Sequence, residues 1–277
     1  MMLLNNRIQS GFTLIEAVMV IVLTGILGVL ATSFITPLQG YFDALDRAEL
    51  SDVADTALRR MARDVRLALP NSVRVNTLGS NHSLDFLATT GGGRYRAVVN
   101  STGGGNILNF TAADTSFDVL GPTVDIATGD QIVVYNLGVP DSDAYEGNTL
   151  STHVRRAASA TGTGLSTVSI ASDNPLPFDS PAHRFQIVHE QVRYICNLTT
   201  QRLTRYAGFA IATPTATVPT SGSSALLASG VTACSFTYTP GSTQRIALVT
   251  MSLTLSNSAD PLDSVTLLHQ VHVQNVP

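Results

Sequence analysis

The chain has 277 residues, of which 44% are hydrophobic and 13% charged, and its formal net charge is −4. All 16 basic side chains are arginine, because the sequence contains no lysine, and this excludes a Walker-type phosphate loop and lysine-based covalent catalysis. The mild acidity argues against a nucleic-acid partner. Since there is also no Gly-x-Ser-x-Gly nucleophile elbow, the sequence predicts a protein that is not an enzyme and holds no catalytic residue.

Residues 12–36 form a long apolar segment in which Glu16 is the only ionisable residue. As a helix this segment would be ~37 Å long, which exceeds the ~30 Å of a bilayer core. It is therefore predicted to be a transmembrane helix. An acidic side chain at the centre of such a helix costs roughly 2.5–3.5 kcal/mol, and so Glu16 is predicted to have a functional partner.

The segment before this helix is short and polar, with Arg7 as its only charged side chain, and it ends at Gly11. A secretory signal has its small-residue cleavage site after the apolar run, whereas here the small residue precedes it. Cleavage after Gly11 would retain the helix and expose a new amine on Phe12. The sequence Gly-Phe-Thr-Leu-Ile-Glu at residues 11–16 resembles the class III leader junction of type IV pilins and type II secretion pseudopilins.

This resemblance implies that residues 1–11 are a leader peptide. A prepilin peptidase at the cytoplasmic face would cut between Gly11 and Phe12 and N-methylate the Phe12 amine. Glu16 would then act in assembly by pairing with the N-terminus of a neighbouring subunit. Such an amine, with an ordinary pKa near 8, is cationic at neutral pH, and a paired carboxylate avoids the cost of an isolated one. The alternative is a signal anchor with an incidental glutamate.

Arg7 precedes the apolar segment, so the positive-inside rule predicts a single-pass inner-membrane protein with a cytoplasmic N-terminus and a periplasmic C-terminal domain. Assembly would then place that domain in a surface pilus or at its tip. Disulfides persist in such a compartment, and the two cysteines, Cys196 and Cys234, are predicted to pair. That bond would contribute roughly 4 kcal/mol in the chain-entropy model. Two buried free thiols are the alternative.

Residues 37–69 continue the helical pattern, with apolar residues two to four positions apart and charged residues between them, and Pro70 ends the helix. This segment is predicted to be an amphipathic continuation that packs on a sheet. Pro37 predicts a bend or a local loss of helix near Thr36.

Residues 70–277 are rich in β-branched and aromatic residues and in turn sequences, which predicts a β-rich domain. The fold class is therefore α+β, with a long N-terminal helix on an elaborated antiparallel sheet. The glycine triplets at 91–93 and 103–105 and the segment 213–230 are predicted to be loops. The predicted strands are residues 83–90, 94–99, 107–110, 130–137, 167–171, 184–196, 202–209, 233–239, 245–256 and 264–273.

Three carboxylates, those of Asp141, Asp143 and Glu146, fall within six residues of a predicted loop. Carboxylate oxygens are calcium ligands, so this loop is a weak calcium candidate. It lacks the spacing of an EF-hand, and a solvated acidic turn explains it more simply. No other metal site or cofactor is expected.

The long helix followed by a large β domain resembles the J-type and W-type minor subunits of secretion systems and pili. Residues 44–75, the surroundings of both cysteines and the ending at 269–277 resemble the MSHA-type pilus biogenesis protein O family. The resemblance implies a minor pilin that takes part in initiation or tip assembly. Its partners would be prepilin peptidase, other minor and major pilins and the inner-membrane assembly platform. A type II secretion pseudopilin and a tip adhesin or binding module are the alternative functions.

Overall fold

The computed structural model describes residues 11–171, 173–241, 246–257 and 263–275, with the backbone alone at 33–40, 42 and 43. The chain divides into two compact units, residues 1–49 and 50–277. Residues 1–10 of the predicted leader lie outside the description. Within the described residues there is one helix, α1, at Leu14–Arg66, and the strands are β1 Arg74–Leu78, β2 Asn81–Tyr95, β3 Ser116–Leu120, β4 Val124–Ile126, β5 Gln131–Val133, β6 Arg155–Ala157, β7 Gly162–Leu165, β8 Thr167–Ser169, β9 Arg184–Asn197, β10 Arg202–Phe209, β11 Ser223–Ser229, β12 Val231–Thr239, β13 Ala247–Ser256 and β14 Ser264–Val273.

In the described part of the first unit the regular structure is the N-terminal portion of α1. The helix is continuous through position 37, so of the two predicted outcomes near residue 36 the local loss of helix is wrong, and the bend stays a prediction. A proline removes one backbone hydrogen bond. The long helical stretches on both sides of it maintain the remaining bonds cooperatively.

The second unit is built on a large antiparallel sheet whose centre is the pair β2 and β9. These two strands pair along almost their whole length, from Asn81 opposite Asn197 to Arg94 opposite Arg184. The strand order is β11-β10-β9-β2-β3-β8, with β1 added to β2, β5 added to β9, and β6 added to β5. The predicted antiparallel β domain after a long apolar helix is therefore confirmed.

A separate three-stranded sheet has the order β12-β13-β14. The hairpin of β13 and β14 pairs Ala247 with Val273 and Ser256 with Ser264, which confirms the predicted C-terminal strand pair. Residues of β13 alternate between buried and partly buried, as expected of a sheet with one face on a core.

The helix and the two sheets share one hydrophobic core in the second unit. From residue 50 onward, α1 buries small and medium apolar side chains against the inner faces of both sheets. Their spacing of three and four residues places them on one side of the helix. The helical members of this core are Ala54, Ala57, Leu58, Met61, Ala62 and Val65, each at most 3% exposed.

Polar contacts fix the helix on the large sheet beside this core. The carboxylate of Asp64 accepts hydrogen bonds from the Tyr194 hydroxyl and from Arg205 Nε, both at 2.8 Å. Burial raises the pKa of Tyr194, so its hydroxyl remains the donor. Arg205 also pairs with Glu190 at 3.3 Å, and the helix is therefore held to β9 and β10 by one connected network.

The glycines at 91–93 lie within β2, so the prediction of a loop there is wrong. An added Cβ on Gly92 would lie 2.6 Å from the Phe185 carbonyl oxygen, and one on Gly93 would lie 3.1 Å from the Phe185 ring. Glycine permits this close approach of β9, which is a recognised reason for glycine within a strand.

Three other predictions of local structure are wrong. Residues 107–110 are not a strand, residues 94–99 are not a separate strand because β2 ends at Tyr95, and the predicted loop at 213–230 contains β11. β11 is largely exposed and rich in serine and alanine, so it lacks the β-branched pattern by which strands are recognised. Five short strands, β1, β3, β4, β6 and β7, were not predicted either, and each is only three to five residues long.

Candidate functional site

The start of α1 carries the residues to which a function was assigned from sequence. Gly11 and Phe12 precede the helix, and nothing lies within 4 Å of the position of a Cβ on Gly11. Phe12 is 73% exposed. The peptide bond between them is therefore sterically open within the described part of the chain, as a cleavage junction requires.

Thr13 caps the N-terminus of the helix, a role that was not predicted from the sequence. Its carbonyl oxygen accepts hydrogen bonds from the backbone N–H groups of Glu16 and Ala17, both at 3.1 Å. Its hydroxyl also accepts a weaker bond from the Glu16 N–H at 3.4 Å. The Thr-x-x-Glu spacing is that of a capping box and would have revealed this role. Glu16 thus lies in the first helical turn, where the helix dipole favours a negative charge.

The apolar part of α1 is long enough and apolar enough to cross a membrane. The segment Leu14–Thr32 has 19 residues and a mean hydropathy of 2.6, and none of it is buried. At 1.5 Å per residue it spans ~28 Å, close to the thickness of a bilayer core. Because it lies outside the core, it is not the central helix of a soluble domain. The predicted boundary at residue 36 falls where side chains are not described and stays a prediction.

Two hydroxyl groups in this apolar segment bond to the helix backbone. Thr24 Oγ1 donates to the carbonyl oxygen of Val20 at 2.7 Å, and Thr32 Oγ1 donates to that of Val29 at 2.9 Å. Such bonds satisfy polar groups locally, which a hydrocarbon environment requires. The carboxylate of Glu16 is thus the ionisable group in the described apolar span, and its pairing with another subunit stays a prediction.

The acidic loop does not bring its carboxylates together around a common point. Asp143 Oδ2 pairs with Arg74 Nη2 at 2.8 Å, and Asp143 Oδ1 accepts from the Tyr145 N–H at 3.1 Å. Glu146 Oε1 accepts from the N–H of Asp141 at 3.2 Å. Within the described residues no group of three acidic, histidine or cysteine side chains could hold a metal ion. These contacts show an acidic turn held by protein donors.

The two cysteines form a disulfide, as predicted. Cys196 lies in β9 and Cys234 in β12, so the bond joins the large sheet to the three-stranded sheet. Cys196 is fully buried and Cys234 is 9% exposed. The position of the disulfide within the shared core indicates a structural role.

A cleft of about 810 Å³ lies between the glycine-containing part of β2 and the β4–β7 pair. On its wall His189 Nδ1 lies 2.7 Å from Asp130 Oδ1. The other oxygen of Asp130 accepts a hydrogen bond from the Ala127 N–H at 2.8 Å. Asp130 is 2% exposed, and its contacts hold the turn that precedes β5.

The comparisons with known proteins bear on the start of the chain. Residues 6–32 match the family model described as the prokaryotic N-terminal methylation motif. No curated protein and no solved structure matches the chain. The motif supports a type IV pilin-like or pseudopilin-like class, and it implies processing by prepilin peptidase and pilus-type assembly. The apolar N-terminal helix fits a membrane-anchored protein of this class.

Proposed function

We propose that this protein is a minor pilin-like subunit that is stored in the inner membrane and takes part in initiation or tip assembly of a type IV pilus of the MSHA type. The observation that carries the proposal is the leader junction at Gly11 and Phe12, which directly precedes a capped, exposed apolar helix with Glu16 in its first turn. The chain is not an enzyme in this proposal. The chemical steps in this proposal, cleavage and N-methylation, are performed on the chain by prepilin peptidase.

In assembly, the apolar part of α1 packs among the helices of other subunits, first in the membrane and then in the fibre. Glu16 sets the axial position of the subunit by pairing with the methylated amine of a neighbour. The pairing removes the cost of an isolated charge in an apolar bundle. The β domain lies in the periplasm, where its disulfide is stable, and it contacts other minor subunits.

The processing step is tested by intact mass and N-terminal sequencing of the protein from cells with and without prepilin peptidase. We expect a chain that begins at N-methyl-Phe12 in the first strain and an uncut chain in the second. A Gly11→Leu variant should remain uncut in both strains. An uncut wild-type chain in both strains would overturn the proposal.

The role of Glu16 is tested with two variants that separate charge from helix capping. Glu16→Gln removes the charge and retains a residue that suits a capping box, whereas Thr13→Val removes the capping hydroxyl and retains the charge. We expect Glu16→Gln to be processed normally but to form few surface fibres, and Thr13→Val to form them. Normal fibres from Glu16→Gln would contradict the assembly role.

Deletion of the gene distinguishes a function in pilus assembly from a function in protein secretion. Loss of surface fibres with normal exoprotein export supports the pilus proposal, and loss of export with no effect on fibres supports a type II secretion pseudopilin. A tip adhesin would show normal fibres that fail to attach to a surface.

A further inference from the structure

A row of arginines on α1 lines a groove of about 660 Å³ beside β14. Arg59, Arg63 and Arg66 follow one another at spacings of four and three residues, and so they share one side of the helix. Asp55 is the one carboxylate in the lining, and its Oδ2 is already bonded to Arg59 Nε at 2.6 Å. Arg63 and Arg66 are exposed and form no ion pair with any described residue. The groove is therefore strongly cationic.

The other wall of this groove is contributed by His269 of β14. β14 pairs with β13 on one side, where His269 lies opposite Met251, and no strand in the described part of the chain pairs with its other side. The strand has 10 residues and contains no charged residue or proline of the kind that protects exposed edges. Its free edge offers unpaired backbone N–H and C=O groups.

We propose that this groove binds an extended acidic segment of a partner protein, which adds to β14 as a fourth strand and places its carboxylates on the arginine row. Strand addition supplies main-chain hydrogen bonds, and the arginines select for negative charge. A nucleic acid would satisfy the guanidinium groups but would leave the strand edge unpaired, and so the protein segment fits both walls of the groove.

The geometry also predicts the spacing of the acidic residues in the partner. Arg59 and Arg63 are four residues apart, which is ~6 Å along a helix. Alternate residues of a β-strand lie on the same face and are ~6.6 Å apart, close to this spacing. The expected partner sequence therefore carries carboxylates at every second position. This inference does not involve the leader junction, so it can fail while the proposed function stands.

The test measures binding of a fluorescein-labelled peptide to the full chain in detergent by fluorescence anisotropy. The peptide has the 10 residues of β14's length and alternates glutamate with threonine. In a second peptide the odd-numbered residues are N-methylated, and in a third the even-numbered residues are. Each backbone N–H donor is therefore missing in one of the two peptides. We expect the parent peptide to bind, and at least one methylated peptide to lose binding.

The variant Arg63→Gln/Arg66→Gln should weaken binding by about tenfold or more. The control variant Arg94→Gln/Arg184→Gln removes the same charge from exposed positions on the large sheet and should bind as the wild type does. Absent binding of the parent peptide, equal loss in both variants, or full binding of both methylated peptides would overturn the proposal. It would also be overturned if a duplex oligonucleotide bound more tightly and lost binding in the same groove variant.

Discussion

Asp85 and Arg193 form the most deeply buried of the described ion pairs. Arg193 Nε lies 2.5 Å from Asp85 Oδ1, and the two side chains are 6% and 0% exposed respectively. Ser83 and Gln191 also donate to the carboxylate, at 2.9 and 3.1 Å. Burial raises the pKa of Asp85, and the guanidinium of Arg193 opposes that rise. The charge is thus tolerated in the interior only because all of its partners are present.

Replacing Arg193 should therefore strongly destabilise the folded domain. Arg193→Met leaves Asp85 buried and unpaired, and we expect a loss of about 3–5 kcal/mol in the free energy of unfolding. The measurement is urea denaturation of the detergent-purified chain. Asp85→Leu/Arg193→Met removes both charges and should recover much of that loss. Equal destabilisation in the single and double variants would contradict this account.

Asp118 gives a prediction of pH dependence at one residue. The N–H of Asn106 donates to Asp118 Oδ2 at 2.9 Å, and Arg96 Nε lies 3.1 Å from the same oxygen. The hydrogen bond from Asn106 and, more weakly, Arg96 lower the pKa of Asp118 below its ordinary value of 3.8, against an opposing effect of burial. A lowered pKa in the folded state means that the ionised carboxylate stabilises the fold above pH 3.8, and that this stability is lost as the pH falls through the lower value.

Asp118→Asn should accordingly flatten the decline in stability as the pH falls below about 4. Because solvent screens this partly exposed group, we expect a loss at neutral pH of under about 1 kcal/mol. Thermal unfolding followed across this pH range checks the slope. Asp52→Asn, on an exposed part of α1, controls for the change of net charge. A decline as steep as that of the wild type would show that Asp118 has no share in the acid sensitivity.

At the scale of elements, the pairing of β2 with β9 depends on which glycine faces the neighbouring backbone. An added Cβ on Gly92 would lie 2.6 Å from the Phe185 carbonyl oxygen, whereas one on Gly91 would meet Ile187 Cδ1 at 3.7 Å, an ordinary contact. Gly92→Ala should therefore cost about 1–3 kcal/mol, because a main-chain atom must move. Gly91→Ala is the matched control and should change the unfolding midpoint little. Similar midpoints for the two variants would refute this difference.

The packing of α1 provides a second prediction about an element. Met61 is fully buried between the sheets, and Arg63, two residues further along, is exposed. Met61→Ala should cost about 2–5 kcal/mol, since it opens a cavity in the shared core. Arg63→Ala should stay within about 0.5 kcal/mol of the wild type. The comparison of their unfolding midpoints tests whether this face of the helix stabilises the domain, and a small effect of Met61→Ala would contradict it.

The long strands could be predicted from sequence because tertiary burial and local pattern agree in them. In β13, alternating polar and apolar residues coincide with alternating burial. The glycines of β2 could not be placed, since their role depends on the approach of Phe185, which is more than 90 positions away in the chain. β11 was missed because its neighbour β10, and not its own composition, makes it a strand.

At the scale of the whole molecule, the site at the chain start was the part most accessible to sequence reasoning. The leader junction and Glu16 form a local motif, and the capping by Thr13 is local as well. The arginine groove was not accessible in this way. Arg59, Arg63 and Arg66 can be read from the sequence, but only the fold places His269 and a free strand edge beside them.

The disulfide acts at the same scale, because it connects two sheets that are otherwise joined through the core. Cys196 and Cys234 are separated by 38 residues, and a loop of that length gives about 4 kcal/mol in the chain-entropy model. Cys196→Ser/Cys234→Ser should therefore lower the urea midpoint by a corresponding amount. The serine hydroxyls also enter a buried position, so Cys196→Ala/Cys234→Ala separates loss of the bond from burial of polar groups.

In cells, the same argument predicts that the domain depends on thiol oxidation. If the domain lies in the periplasm, as proposed, a strain that lacks periplasmic thiol oxidation should accumulate less of the wild-type protein, because the reduced domain is less stable and the unfolded chain is degraded. The double variant Cys196→Ala/Cys234→Ala cannot form the disulfide, and so it should accumulate to the same reduced level in both strains. Equal abundance of the wild-type protein in the two strains would contradict this prediction.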